Sequence, residues 1–160
     1  MPAEIYIFRH GIESRLPGSP GLSEQGIARV RRQARGLARM GVMLDVILAG
    51  NDHASRETAA ALADGLSPQP RVIETAAFGP DGNVEDAQRE LWDAAPDVRI
   101  AAVGHEPMVG MLAARLIGAQ QPLIFKKAAG CRIDVREGHQ TGELRWFLPP
   151  RILRAIGRWA

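Results

Sequence analysis

Ile5-Tyr6-Ile7-Phe8 is a run of four β-branched or aromatic residues that stops abruptly at Arg9-His10-Gly11. So short a run, with no polar alternation, is the pattern of a strand buried on both faces of a parallel sheet, which obliges helices to cover it from both sides. The pattern returns from Arg99 to Val103 and again ends at a histidine, in Gly104-His105-Glu106-Pro107. Leu44 to Ala49 reads as a second apolar strand and Val72-Ile73 as a brief third. Between them, Leu22, Ile27, Val30, Ala34, Leu37 and Ala38 recur near helical spacing behind Ser23 as N-cap, and a helix is expected from about Asp52 to Leu66. A further helix runs through Ala87 and Leu91 to Trp92. Pro107 suits the first turn of another, carrying Met111, Leu112, Leu116 and Ile117. Cys131-Ile133-Val135 and Leu144-Trp146-Leu148 alternate with polar residues like half-exposed strands, joined as a hairpin through Glu137 to Gly142. The order predicts an α/β fold with a mostly parallel sheet.

At 160 residues the chain suits one compact domain. Its 20 Lys plus Arg against 18 Asp plus Glu leave a formal charge of +2, too little by itself to demand nucleic acid or a membrane as partner. Arg29, Arg31, Arg32, Arg35 and Arg39 fill the remaining faces of the first helix and read as a solvated surface, since no aromatic stacking residues interleave them. The lone Cys131 fits a reducing compartment and an apolar packing position. No stretch resembles a signal peptide or a spanning helix, so a cytoplasmic location is expected. Trp92, Trp146 and Trp159 read as packing anchors.

Two buried strands, far apart in sequence, each deliver a histidine at the carboxyl end, where an open α/β sheet keeps its ligand crevice. Arg9 beside His10 offers a bidentate oxyanion donor next to a nucleophile, and His105 precedes a helix N-terminus that favours an anion. This suits phosphoryl transfer through nitrogen: His10, held in one tautomer by a backbone carbonyl, attacks phosphorus while Arg9 and His105 stabilise the equatorial oxygens. Zinc ligation by both histidines with Glu13 or Glu106 fits less well, because Arg9 would repel a cation.

These segments resemble the histidine phosphatase superfamily, and within it the small SixA-type phosphohistidine phosphatases. Arg9-His10-Gly11 is similar to the RHG motif whose histidine is phosphorylated, Leu22-Ser23-Glu24-Gln25-Gly26 to the family's L-T/S-x-x-G helix start, and Val103 to Pro107 to its VGH-x-P segment with the second catalytic histidine. The resemblance covers nearly the whole chain and implies a single domain over residues 1–160. It implies a three-layer α/β/α, phosphoglycerate mutase-like fold, with His10, Arg9 and His105 catalytic and Arg9, Gly11 and His105 binding phosphate. Neither a metal nor an organic cofactor is implied, and the partner is a phosphorylated protein bearing phosphohistidine or a small phosphorylated substrate.

One element departs. The family's S-P-x-x-R-A-x-x-T-A segment, aligned through Thr58-Ala59, puts Gly50, Asn51 and Ala54 at the Ser, Pro and Arg positions. Arg56 lies two residues on, about 200° round a helix from Ala54. His53, Arg56, Arg15 and Lys127 are the candidate substitutes for the missing cation. Without one, the alternative is a catalytically weakened or inactive phosphate-binding or interaction module. Ester hydrolysis expels an alkoxide and wants a general acid, for which Glu74, Asp81 and Glu13 are the candidates. Phosphohistidine needs one less, because its imidazole leaves neutral when the other ring nitrogen is protonated.

Overall fold

The computed structural model describes residues 4–94, 98–136, 138–139 and 141–158. Trp159, and Glu137 and Gln140 of the expected hairpin turn, lie outside them. In chain order the elements are β1 (Glu4–Arg9), α1 (Glu24–Arg39), β2 (Val46–Gly50), α2 (His53–Asp64), β3 (Arg71–Thr75), a short 3-10 turn (Ala76–Phe78), α3 (Val84–Ala94), β4 (Arg99–Gly104), α4 (Met108–Ile117), β5 (Gly130–Asp134), β6 (Glu143–Leu148) and α5 (Pro150–Arg158).

The strands form one sheet in the order β3-β2-β4-β1-β5-β6. β3, β2, β4 and β1 are mutually parallel, while β5 and β6 add an antiparallel edge. The two faces of β1 go into separate cores, as the strand period of two requires. Ile5 and Ile7 join Leu48, Ile100 and Ala102 beneath α3 and α4, whereas Tyr6 and Phe8 join Ile47, Ala101 and Val103 beneath α1, α2 and α5. The result is the expected α/β/α arrangement. Cys131 is fully buried and its thiol is pushed up to about 12 by that burial. Trp92 and Trp146 pack against the two cores.

Local signals explain the helix limits. Ser23 Oγ accepts the Gly26 N–H at 2.9 Å, with Glu24 in the first turn and Arg39 in the last, as the macrodipole favours. Asp52 caps α2 through the Ser55 N–H at 3.0 Å, and Gly65 ends it, one residue before the expected limit at Leu66. Gly118, at φ 73°, closes α4 in the left-handed conformation.

Three expectations need correction. Ala38 lies on the exposed side of α1. β3 runs over five residues, Arg71–Thr75, longer than the brief Val72-Ile73 strand expected, and lies at the sheet edge with Val72 and Ile73 at 40% and 38% exposure. The arginine-bearing face of α1 is partly covered by α5, an element with no sequence assignment. Gly36 and Gly157 make the contact: a Cβ on Gly36 would strike the Leu153 carbonyl, and one on Gly157 the Arg32 carbonyl. The helices therefore touch backbone to backbone, and their arginines converge. Burial depresses the pKa of Arg154, and Arg29, Arg158, Arg32 and Arg151 depress it further.

Candidate active site

Parallel pairing puts Arg9 of β1 opposite Gly104 of β4. The next residue on each strand is a histidine, and the His10 N–H donates to the Gly104 carbonyl at 3.0 Å. The imidazoles of His10 and His105 consequently lie with centroids 4.7 Å apart and planes tilted by 59°, close to the strand spacing of about 4.8 Å.

His10 is 4% exposed. Its Nδ1 is 2.8 Å from the Gly11 carbonyl, and because a carbonyl only accepts, Nδ1 carries the proton and Nε2 the lone pair. Burial lowers the His10 pKa below 6.5; the Gly11 carbonyl and Glu13 oppose this, while His105 and Arg9 reinforce it. The neutral imidazole is thus the resting form at pH 7. Nε2 lies 4.0 Å from Glu13 Oε1, which is itself 3.5 Å from Lys127 Nζ.

Arg9 is held from the opposite edge. One terminal N–H of its guanidinium donates to the Phe125 carbonyl at 3.0 Å, and Glu106 fixes that loop by accepting from the Phe125 N–H at 3.0 Å and the Gly110 N–H at 2.8 Å. Arg9 Nε is buried without a hydrogen-bond partner. An orphan charged donor of this kind fits an oxyanion ligand. Ala128, at φ 66°, sits in the left-handed region beside the site. Its N–H contacts the Arg9 and His10 carbonyls at 3.1 and 2.9 Å, and its carbonyl accepts from Gln33 Nε2 at 2.6 Å, so the strained conformer is over-determined.

The third wall is α2. The Gly11 N–H donates to Thr58 Oγ1 at 3.0 Å, and the Thr58 hydroxyl donates to the Ala54 carbonyl at 2.7 Å. Two groups absent from the sequence reading also reach the site: Asp52 Oδ1 lies 2.8 Å and Ser55 Oγ 3.4 Å from His105 Nε2. Asp52 Oδ1 makes no aligned hydrogen bond despite that short approach, so the contact is chiefly electrostatic. The available signal was an N-cap aspartate at the carboxyl end of β2, two strands from β1.

Of the candidate substitute cations, Lys127 comes near His10 through its ion pair with Glu13, and the others make no hydrogen bond or ion pair with His10 or His105 among the described residues. Arg56 is engaged by the Asn51 carbonyl at 3.1 Å, Glu74 at 3.2 Å and His53 Nδ1 at 3.2 Å. His53 and Arg56 thus bind each other, and Arg56 an edge-strand carboxylate, with no hydrogen bond or ion pair to His10 or His105 among the described residues. Ala54 is buried among apolar side chains of the α1/α2 core, and Arg15 is exposed. Of the candidate acids, Glu13 is near His10, Glu74 is paired with Arg56, and Asp81 lines a surface depression.

That depression, about 600 Å³ between Thr75 and Asp93, contains neither histidine. A smaller cleft of about 310 Å³ does reach His105, with Pro80, Val84, Pro107, Met108 and Met111 as its apolar wall. Of these two hollows, the smaller cleft is the one that meets a candidate reacting group.

No family model matches the chain. A protein of Picosynechococcus, named only as uncharacterized, is 33% identical over 168 aligned positions, spanning 91% of this chain and 99% of its own length. The chain belongs to the same family as that protein. The protein histidine phosphatase SixA, solved with tungstate, superposes with a TM-score of 0.82 at 22% identity over 94% of this chain and 99% of its own. The fold is that of the SixA-type histidine phosphatases. A putative phosphohistidine phosphatase SixA from Agrobacterium tumefaciens gives a TM-score of 0.79 at 21% identity, over 94% of this chain and 99% of its own. The SixA fold extends to a putative alpha-ribazole-5'-P phosphatase from Escherichia coli, at TM-score 0.71 and 17% identity over 94% and 98% of the two chains. Among the described residues no helix is long and apolar enough to cross a membrane.

Proposed function

We propose that the protein is a phosphatase acting on phosphohistidine of a protein partner, through a phosphohistidine intermediate on His10. The observation that carries this is the tautomer of His10: with Nδ1–H bound to the Gly11 carbonyl, the Nε2 lone pair is left for attack, 4.0 Å from the nearest carboxylate oxygen. The likeness to phosphatases of the same fold supports it.

In the first step His10 Nε2 forms a bond to phosphorus as the bond from phosphorus to the substrate imidazole breaks. The departing nitrogen keeps the electron pair, and the imidazole leaves neutral because its other nitrogen already holds a proton. Arg9 Nε and His105 donate to the non-bridging oxygens. In the second step water attacks phosphorus, the His10–phosphorus bond breaks, and inorganic phosphate leaves with the proton balance restored to solvent. The cleft beside His105 accommodates the leaving group. The protein acts as one domain in the cytoplasm and requires neither metal nor organic cofactor.

A second reading, a weakened phosphate-binding module, draws on the burial of Ala54 and the capture of Arg56 by Glu74. The deciding experiment follows phosphate release from a histidine-phosphorylated protein and from an aryl phosphate, alongside labelling by a reactive phosphoryl donor. Release that His10→Ala abolishes, with an acid-labile, alkali-stable label on the wild type, is the expected result. Folded protein that neither releases phosphate nor becomes labelled overturns the phosphatase reading in favour of the module.

A further inference from the structure

We propose that Asp52 is a carboxylate gate on the oxyanion site: it occupies the Nε2 of His105, and a phosphoryl oxygen enters by displacing it. The proposal rests on the reading that a phosphoryl group binds between His10 and His105.

Three observations converge on this residue. Asp52 is anchored as the α2 N-cap, with Oδ2 accepting the Ser55 N–H at 3.0 Å, and this directs Oδ1 to within 2.8 Å of His105 Nε2. An anionic oxygen therefore already sits on the donor that an anionic ligand requires. Oδ1 is buried yet lacks an aligned hydrogen bond, so the contact is easier to exchange than the cap. The local charges, finally, do not offset it. Arg56 is paired with Glu74 and Lys127 with Glu13, leaving Arg9 as the guanidinium beside the histidines that has no carboxylate within 4 Å among the described residues.

Burial pushes the Asp52 carboxyl up, but the close approach of the His105 ring and the hydrogen bond from the Ser55 N–H outweigh it and hold the group below its usual range. The carboxylate is charged at neutral pH and repels an incoming dianion at short range. Its position also explains how His105 keeps a fixed orientation with no arginine at position 54. The same group that orients His105 opposes the entry of an anion.

Asp52→Asn isolates the charge, because asparagine caps a helix as well as aspartate does. Inorganic phosphate is titrated into wild type and Asp52→Asn at constant ionic strength, following the ring nitrogens of 15N-labelled histidines. The expected result is phosphate affinity raised about tenfold or more in the variant, with the His105 Nε2 signal responding in both proteins. Equal or weaker affinity in Asp52→Asn overturns the gate. Asp52→Ser, which also caps without charge, replaces Asn if that variant fails to fold, and the same outcomes apply. Phosphate binding is read without turnover, so tighter binding by the variant while the wild type forms no phosphoenzyme retains the gate and rejects the phosphatase, and unchanged binding by the variant with normal labelling of the wild type does the reverse.

Discussion

Arg9 and Gly104 are partners in the parallel ladder between β1 and β4, and this pairing sets His10 beside His105. The main chain, not side-chain packing, fixes the approach of the two imidazoles. Changes in the loops around them should alter rate and affinity while leaving their separation intact.

Arg9→Lys is expected to lower kcat/KM on the order of 100-fold, the usual effect of losing one preorganised donor to developing charge. A lysine has neither the Nε–H nor the planar fork that grips the Phe125 carbonyl. Steady-state kinetics beside a circular dichroism melt test this; a rate within threefold of wild type would show that Arg9 is not aimed at the phosphoryl group.

Thr58→Val keeps the shape and removes the hydroxyl that accepts from Gly11 and donates to Ala54. The buried Gly11 N–H loses its acceptor, a loss of about 1–3 kcal/mol in stability. Urea unfolding measures it through the midpoint, with the slope unchanged.

His10 titrates below 6.5, from burial first and then from His105 and Arg9. His10 accordingly stays neutral into mildly acidic solution, and if it is the nucleophile proposed above, the acid limb of the rate profile should fall below the ordinary histidine range. For stability the sign is fixed: the unfolded chain takes up the proton at a higher pH than the folded one. Stability is complete above 6.5 and declines as pH falls from there toward the folded pKa. NMR titration of the His10 ring checks the direction, and a pKa at or above 6.5 would contradict it.

Gly36→Ala forces a methyl group against the Leu153 carbonyl of α5. Helix–helix overpacking of this kind costs about 1–3 kcal/mol. Hydrogen exchange should show the loss concentrated in α1 and α5, with β1 and β4 still protected; uniform loss across the sheet would argue against it.

The buried strands and the two terminal histidines were legible because they depend on local pattern: an apolar run, an abrupt polar stop, a turn. Ser23 marked a helix start for the same reason. Asp52 was not legible as a partner of His105, because the strand order that makes β2 and β4 neighbours is a non-local fact. Arg56 illustrates the same limit. Helical arithmetic turned it away from the face of Ala54, but only the tertiary structure supplied Glu74 to hold it. α5 was not legible because its Ile152, Leu153 and Ile156 make too short an apolar period to stand out, because its closest contact is made by glycine, and because Pro149-Pro150 looks like a stop when Pro150 is in fact the first helical residue.

The glycine contact between α1 and α5 also makes the helix pair a loaded spring. Close backbone approach places Arg29, Arg158, Arg32 and Arg151 where each disfavours the charge on Arg154, and the buried Leu153 and the close fit at Gly36 and Gly157 act as the latch. Dissolved salt tunes its tension, because counterions screen the arginines without touching the latch. Added salt is therefore expected to hold the last helix more firmly, acting on one outer layer and sparing the parallel strands that carry the histidines.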